Sequence, residues 1–256
     1  MNNAMTKPGT LFLIPNTLGV SDTEDGDPLS HIIPVDVQAL TAKLDYFVAE
    51  NAKTTRAFLK LLARNHPLSK PIQEIQIAEL SINTAPQALP DLLKPLLEGR
   101  DAGLISEAGV PAVADPGANL VRLAHAHQVP VKPLVGPSSL LLAVMASGLN
   151  GQSFAFNGYL PIDAGQRAKR IKELEERSRR EKQTQLFIET PYRNGPLLET
   201  LSNTCQPGTL ICVATDLSLP SEAIQTQTAG KWKSAIQAGK LPEFNKKPTV
   251  FLLLAD

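Results

Sequence analysis

The chain has 256 residues, and its 25 Lys and Arg are matched by 25 Asp and Glu. A neutral balance argues against bulk electrostatic attachment to nucleic acid or to an anionic membrane, though a local basic patch stays possible. Two cysteines, Cys205 and Cys212, with no CxxC spacing, argue against a disulfide framework or a structural zinc site. The length permits one large α/β domain or two of ordinary size. Met1–Gly9 is polar and lacks an apolar h-region, and the longest apolar segment, Leu140–Ala146, is too short to span a bilayer; a cytoplasmic location is expected.

Taken in order, Leu11–Ile14 is a short apolar run closed by Pro15, the pattern of a buried parallel strand. Asn16–Pro28 is rich in Asp, Gly, Ser and Thr and reads as a long loop, acidic at 21–28. Val37–Leu40 reads as the start of a helix, Leu44–Ala49 as a second strand, Thr54–Ala63 as a helix with Phe58, Leu59 and Leu62 on one face, and Ile72–Leu80 as extended. Pro86–Leu97 has helical spacing and Gly99 stops it. Ala102–Ile105 is the end of a buried strand. Small residues follow it, with one acid, Glu107, at the mouth of the loop; Asp115 and Pro116 then read as the cap and first turn of a helix. Gly109 would let another molecule approach the backbone.

Leu120–His127 continues that helix, and Val131–Val135 is the next strand. At Gly136-Pro137-Ser138-Ser139 the device recurs: a strand ends, a proline starts a helix, and apolar residues run to Met145, with Gly148 as the stop. Phe154–Phe156 reads as a strand, Ala164–Lys182 as a long charged helix and Gln185–Glu189 as a strand. Thr190-Pro191-Tyr192-Arg193 is the third instance of the device. Thr209–Ala214, a helix near Trp232, and Thr249–Leu254 complete an alternation that predicts a mainly parallel sheet with right-handed crossovers. Two domains are expected, 1–134 and 135–256. No internal repeat is present.

The three loops, in their order and spacing, resemble the tetrapyrrole methylase superfamily. Within it they resemble the branch that methylates the ribose of a cytidine in small-subunit ribosomal RNA, whose pattern includes S-D-A-G-T-P-x-x-x-D-P-G, P-G-P-S, F-E-G-F-L-P and E-S-P-H-R. Here the corresponding residues are Ser106-Glu107-Ala108-Gly109-Val110-Pro111 with Asp115-Pro116-Gly117, Gly136-Pro137-Ser138-Ser139, Phe156-Asn157-Gly158-Tyr159-Leu160-Pro161, and Glu189-Thr190-Pro191-Tyr192-Arg193. The resemblance is strong from about Ala102 to Leu201 and weak on either side. It implies two α/β domains with S-adenosylmethionine folded in a cleft between them, a homodimer, and no metal. The family's cofactor contacts carry over to Glu107, Ala108, Gly109, Val110, Ser138 and Ser139, and less directly to Tyr159, Leu160, Ala214 and Pro248.

The departures fall mostly on cations. The branch's T-P-I-G-N is Pro15-Asn16-Thr17-Leu18-Gly19 here. Its A-E-D-T-R is Ala49-Glu50-Asn51-Ala52-Lys53. The two bases after F-L-P are Ile162 and Asp163, and A-R-E-L-T-K becomes Ala214-Thr215-Asp216-Leu217-Ser218-Leu219. Binding of a methyl donor tolerates these losses better than RNA binding does, because phosphate contacts supply much of RNA affinity. In-line methyl transfer needs alignment of acceptor, methyl and sulfur, which can contribute about 7–11 kcal/mol. A ribose hydroxyl also needs its proton removed. Glu50, Lys53 and Arg193 are the candidates for that work, and each could equally be a surface or ion-pair residue.

The bases of 164–182 read either as an RNA-facing strip or as a solvated helix with pairs such as Glu173–Arg177. His31, His66, His125 and His127 lack ligand spacing. The leading expectation is an S-adenosylmethionine-dependent methyltransferase acting on RNA or the ribosomal subunit. The alternatives are a small-molecule acceptor and a paralogue that binds the cofactor without turnover. A nicotinamide oxidoreductase is disfavoured, since no GxGxxG follows the first strand.

Overall fold

The computed structural model describes residues 7–19 and 29–256. The acidic stretch 21–28 and residues 1–6 lie outside the described residues. The chain divides into two compact units, one ending at Ser138 and the other running Ser139–Asp256.

The first unit contains β1 (Leu11–Ile14), α1 (Val35–Ala42), β2 (Tyr46–Ala49), α2 (Ala52–Leu62), β3 (Gln76–Glu79), α3 (Leu89–Leu97), β4 (Ala102–Ile105), α4 (Ala118–Ala126) and β5 (Val131–Pro133). Its sheet has the order β3-β2-β4-β1-β5, and every pairing is parallel. The apolar runs are explained by burial on both faces. Phe12, Ile14, Phe47 and Ala49 pack into one core with Phe58, Leu59 and Leu62 of α2, while Leu11, Tyr46 and Val48 face a second with Leu93, Leu96 and Leu120. In a parallel sheet every carboxyl end lies at one edge, so the loops after β1, β2, β3, β4 and β5 gather there.

The second unit contains α5 (Ser139–Ser147), β6 (Phe154–Tyr159), α6 (Ala164–Glu181), β7 (Thr184–Ile188), α7 (Asn194–Thr204), β8 (Leu210–Thr215), β9 (Ala223–Thr228), α8 (Ala229–Gln237) and β10 (Thr249–Leu254). Its order is β6-β7-β10-β8-β9. Only β6 and β7 pair in parallel; the other three pairings are antiparallel, which corrects the expectation of a mainly parallel sheet in this half. The unforeseen strand β9 causes much of the difference. It is an edge strand of sequence Ala-Ile-Gln-Thr-Gln-Thr, half-exposed and polar, and so lacks the apolar run that marks a buried strand. The core centres on Trp232, fully buried, whose indole N–H donates to the Ile211 carbonyl at 2.9 Å, and on the stacked Phe187 and Phe251.

The proline device is also corrected. Helix α4 starts at Ala118 with Gly117 as its N-cap, so Asp115 and Pro116 belong to the preceding loop. Helix α5 starts at Ser139, two residues after Pro137. Pro191 opens a short 3-10 turn, Pro191–Arg193, ahead of α7, and Thr190 makes no capping hydrogen bond. The two cysteines are buried; burial pushes the Cys205 thiol up to about 12 and Cys212 upward as well.

Candidate functional site

At the carboxyl edge of the first sheet, the loop after β4 is held by its own backbone and by one side chain that the sequence reading missed. Asn16, immediately beyond β1 and buried, donates from Nδ2 to the carbonyls of Ser106 and Glu107, each at 3.0 Å, and accepts the Thr17 N–H on Oδ1 at 2.8 Å. The Asn16 N–H donates to the Gly109 carbonyl at 2.8 Å, and the Gly109 N–H to the Thr17 carbonyl at 3.3 Å, closing a small antiparallel bridge. A polar residue with both donor and acceptor groups, placed directly after a buried strand, was the only available clue. Gly109 has φ +66°, and a Cβ there would meet Leu18 Cδ2 at 3.3 Å and the Pro137 carbonyl oxygen at 3.7 Å. The loop containing Gly109 and the loop leading to Ser138 are therefore neighbours. Gly136 tightens the same corner: a Cβ on it would lie 2.1 Å from Pro15 Cβ.

Glu107 and Ala108 are exposed, Gly109 is buried, and Val110 and Ser138 are half-buried. This is a main-chain cradle whose outer side offers one carboxylate. Glu50, at the end of β2, reaches across it: its N–H donates to the Ile105 carbonyl at 3.1 Å, and its Oε2 accepts the Glu107 N–H at 3.1 Å. Asn51, where the branch pattern has Asp, caps α2 by accepting the Lys53 and Thr54 N–H groups at 2.9 and 3.3 Å. Lys53 itself points outward from the first turn of that helix and is exposed.

Asp115, freed from helix capping, joins this cluster. Burial first, then the charges of Glu50 and Glu107, push its carboxyl up to about 6. The nearby Ser106 hydroxyl offsets part of that rise, although the buried Oγ meets no partner at hydrogen-bonding geometry. Beyond Asp115 lies a cavity of about 320 Å³, walled by Leu80–Leu89 residues and by the start of α4.

In the second unit, register places Tyr159, Glu189, Pro248 and the end of β8 along one edge of the sheet. Tyr159 is exposed, Leu160 buried, Ala214 buried within β8 opposite Val250, and Ser139 the half-buried first residue of α5. Pro248 is exposed; its carbonyl accepts the Asp216 N–H at 3.0 Å, and Asp216 pairs with Lys247 at 3.1 Å. Arg193 is brought to Glu189, donating from Nη2 and Nε to Oε1 at 2.6 and 2.9 Å, and the Thr190 N–H donates to the same oxygen. The Glu189 side chain is fully buried, and its Oε2 has no hydrogen-bond partner among the described residues. No role for Glu189 was foreseen.

Helix α6 resolves toward self-pairing. Arg170 pairs with Glu173, Arg177 and Arg180 with Glu181, and Arg179 with Glu175, while Arg167 is buried against the Ile162 carbonyl and Thr200. The expected Glu173–Arg177 pair is not the one formed, because each partner has a nearer alternative. Asp163 caps the helix by accepting the Gln166 N–H. Among the described residues no cluster of acids, histidines or cysteines suits a metal ion, and no helix is long and apolar enough to cross a membrane.

Two sheets of these orders, with an all-parallel first sheet and a cradle at its carboxyl edge, are the fold of the tetrapyrrole methyltransferases. The crystal structure of the methyltransferase CobJ superposes with a TM-score of 0.58 at 19% identity, covering 96% of this chain and 94% of that one. The cobalt precorrin-4 methyltransferase CbiF gives 0.55 at 15% identity, over 96% and 94% of the two chains. No protein-family model matches the chain.

Sequence relatives narrow the class. A Thermotoga maritima protein named ribosomal RNA small subunit methyltransferase I is 31% identical over 180 residues, 69% of this chain and 72% of that protein. One of the same name from Streptococcus pyogenes serotype M1 is 32% identical over 197 residues, 76% of this chain and 59% of that protein. The chain belongs to the ribosomal RNA small subunit methyltransferase I family. The matched region spans 59% of the length of the streptococcal relatives.

Proposed function

We propose that this chain is an S-adenosylmethionine-dependent methyltransferase whose acceptor is a ribose 2′-hydroxyl of small-subunit ribosomal RNA. The observation that carries the reading is the Asn16–Gly109 clamp, which fixes the turn carrying exposed Glu107 and Ala108 at the carboxyl edge of a parallel sheet. The fit to the cofactor rests on that turn: Gly109, buried in the left-handed region, lets it pack against Leu18 and the Pro137 carbonyl, where a Cβ would press on Leu18 at 3.3 Å. The family pattern assigns the cofactor's contacts to Glu107, Ala108, Gly109, Val110, Ser138, Ser139, Tyr159, Leu160, Ala214 and Pro248, with Glu107 the acceptor for its amino group or a hydroxyl. When bound, the cofactor supplies an electrophilic methyl group on a sulfonium.

The chain's own task is orientation and proton management. Glu50 steadies Glu107 through its backbone, and Lys53 and Arg193 are assigned to the acceptor side. Arg193 is held in place by Glu189. A homodimer and a cytoplasmic location complete the reading; light scattering on the purified chain checks the first.

A second reading, transfer to a small molecule, draws support from α6, whose arginines are engaged with its own carboxylates or buried. Radiolabelled methyl transfer separates the two. Incorporation into isolated small ribosomal subunits, falling steeply with salt, is the expected result; incorporation into metabolites alone moves the acceptor to the second reading.

A further inference from the structure

We propose that Asp115 is the proton acceptor for the methyl-accepting hydroxyl, and that the cavity it lines seats the group bearing that hydroxyl. The inference rests on the methyltransferase reading and adds to it the identity of the base and the place of the acceptor. Position is the first argument. Asp115 lines the cavity of about 320 Å³ together with Leu80. The Leu80 N–H donates to the Ala49 carbonyl at 2.8 Å, one residue before Glu50, whose carboxylate accepts the Glu107 N–H at 3.1 Å, so the cavity wall is tied to the corner of the cradle.

The second argument is the lining. Ser81 and Thr84 from the loop after β3 and Asn119 from α4 supply hydrogen-bonding groups, while Leu80, Pro86 and Leu89 supply an apolar wall. Polar groups on an apolar floor suit a sugar or nucleoside.

The groups that face the Asp115 carboxyl are the Glu50 carboxylate after β2, and Ser106 and the Glu107 carboxylate after β4. Two negative neighbours and partial burial strengthen a base, and a carboxylate whose proton affinity is raised toward neutrality accepts a hydroxyl proton better than an ordinary one. The step balances simply. The hydroxyl oxygen forms a bond to the methyl carbon, the carbon–sulfur bond breaks with its electron pair retained by sulfur, and the hydroxyl proton passes to an Asp115 carboxylate oxygen.

The test uses the full chain and three readouts: calorimetry with S-adenosylmethionine, single-turnover methyl transfer to small ribosomal subunits across pH, and carbon-13 NMR of labelled aspartate carboxyls. Asp115→Asn is expected to bind the cofactor as wild type does and to lose about 10²–10⁴-fold in transfer rate. The acid limb of the wild-type profile, near 6, is expected to coincide with a carboxyl resonance that Asp115→Asn removes. Glu50→Gln is expected to lower the pH at which that resonance titrates. An Asp115→Asn rate within about threefold of wild type, a factor worth only about 0.6 kcal/mol, overturns the assignment; so does an Asp115 resonance that titrates with the ordinary carboxylates. Wild-type protein that neither binds S-adenosylmethionine nor transfers methyl fails earlier, at the cofactor reading, and takes the proposal with it.

Discussion

The two units support their candidate residues by opposite means. In the first, the cradle is main chain: carbonyls and N–H groups of Ser106, Glu107 and Gly109, fixed by the amide of Asn16. In the second, the edge is set by charged pairs, Arg193 with buried Glu189 and Lys247 with Asp216. Main-chain geometry survives changes of charge, whereas a buried carboxylate depends on its partner. The comparison explains how the first loop can keep its form while the chain loses cations at Ile162, Asp163, Thr215 and Leu219, relative to the family pattern.

The contrast breaks most visibly at Arg193. Arg193→Ala should destabilise the second unit by about 3–5 kcal/mol, because it strands the Glu189 carboxylate in the interior. Denaturant unfolding measures this, and Glu189→Gln in the same chain should recover much of the loss. Asn16→Ala should cost about 1–3 kcal/mol by leaving buried carbonyls unpaired, and should weaken cofactor binding through the released loop.

Asp115 gives a gain instead of a loss. Its folded-state carboxyl titrates near 6, above the ordinary value of 3.8, so the stability it contributes is present below pH 4 and lost as pH rises through 6. Asp115→Asn should therefore raise stability at pH 7–8 by about 1–2 kcal/mol, discounted for partial exposure, with the gain vanishing below pH 4. Smallest is Lys172→Ala on the outer face of α6, expected to change stability by less than about 0.5 kcal/mol. If α6 stands apart from RNA, as its internal pairing suggests, this change also leaves the salt dependence of subunit methylation untouched.

The first unit's strands were legible because they are buried on both faces and read as unbroken apolar runs, Leu11–Ile14 and Ala102–Ile105 among them. Strand β9 was hidden because a polar edge strand carries no such run. At the candidate site, the order of small-residue loops pointed to Glu107–Val110. The groups that hold those loops were not visible, since Asn16 and Glu50 act across sequence separations of 91 and 57 residues. Asp115 was misread for a related reason. An Asp-Pro pair before a helix fits the local capping rules, but Gly117, at φ +135°, is the N-cap and the helix starts at Ala118. The charged helix was legible as a helix, but the choice among its i,i+3 and i,i+4 partners depends on rotamers.

The central claim is that the turn at Gly109, clamped by Asn16, holds the methyl donor. Titration calorimetry of the full chain with S-adenosylmethionine, in wild type and in Gly109→Trp, tests it most directly, with circular dichroism showing that the variant is folded. The expected result is a saturable one-site heat for wild type and none for the folded variant. Equal binding by both proteins, or no heat from wild type, would contradict it.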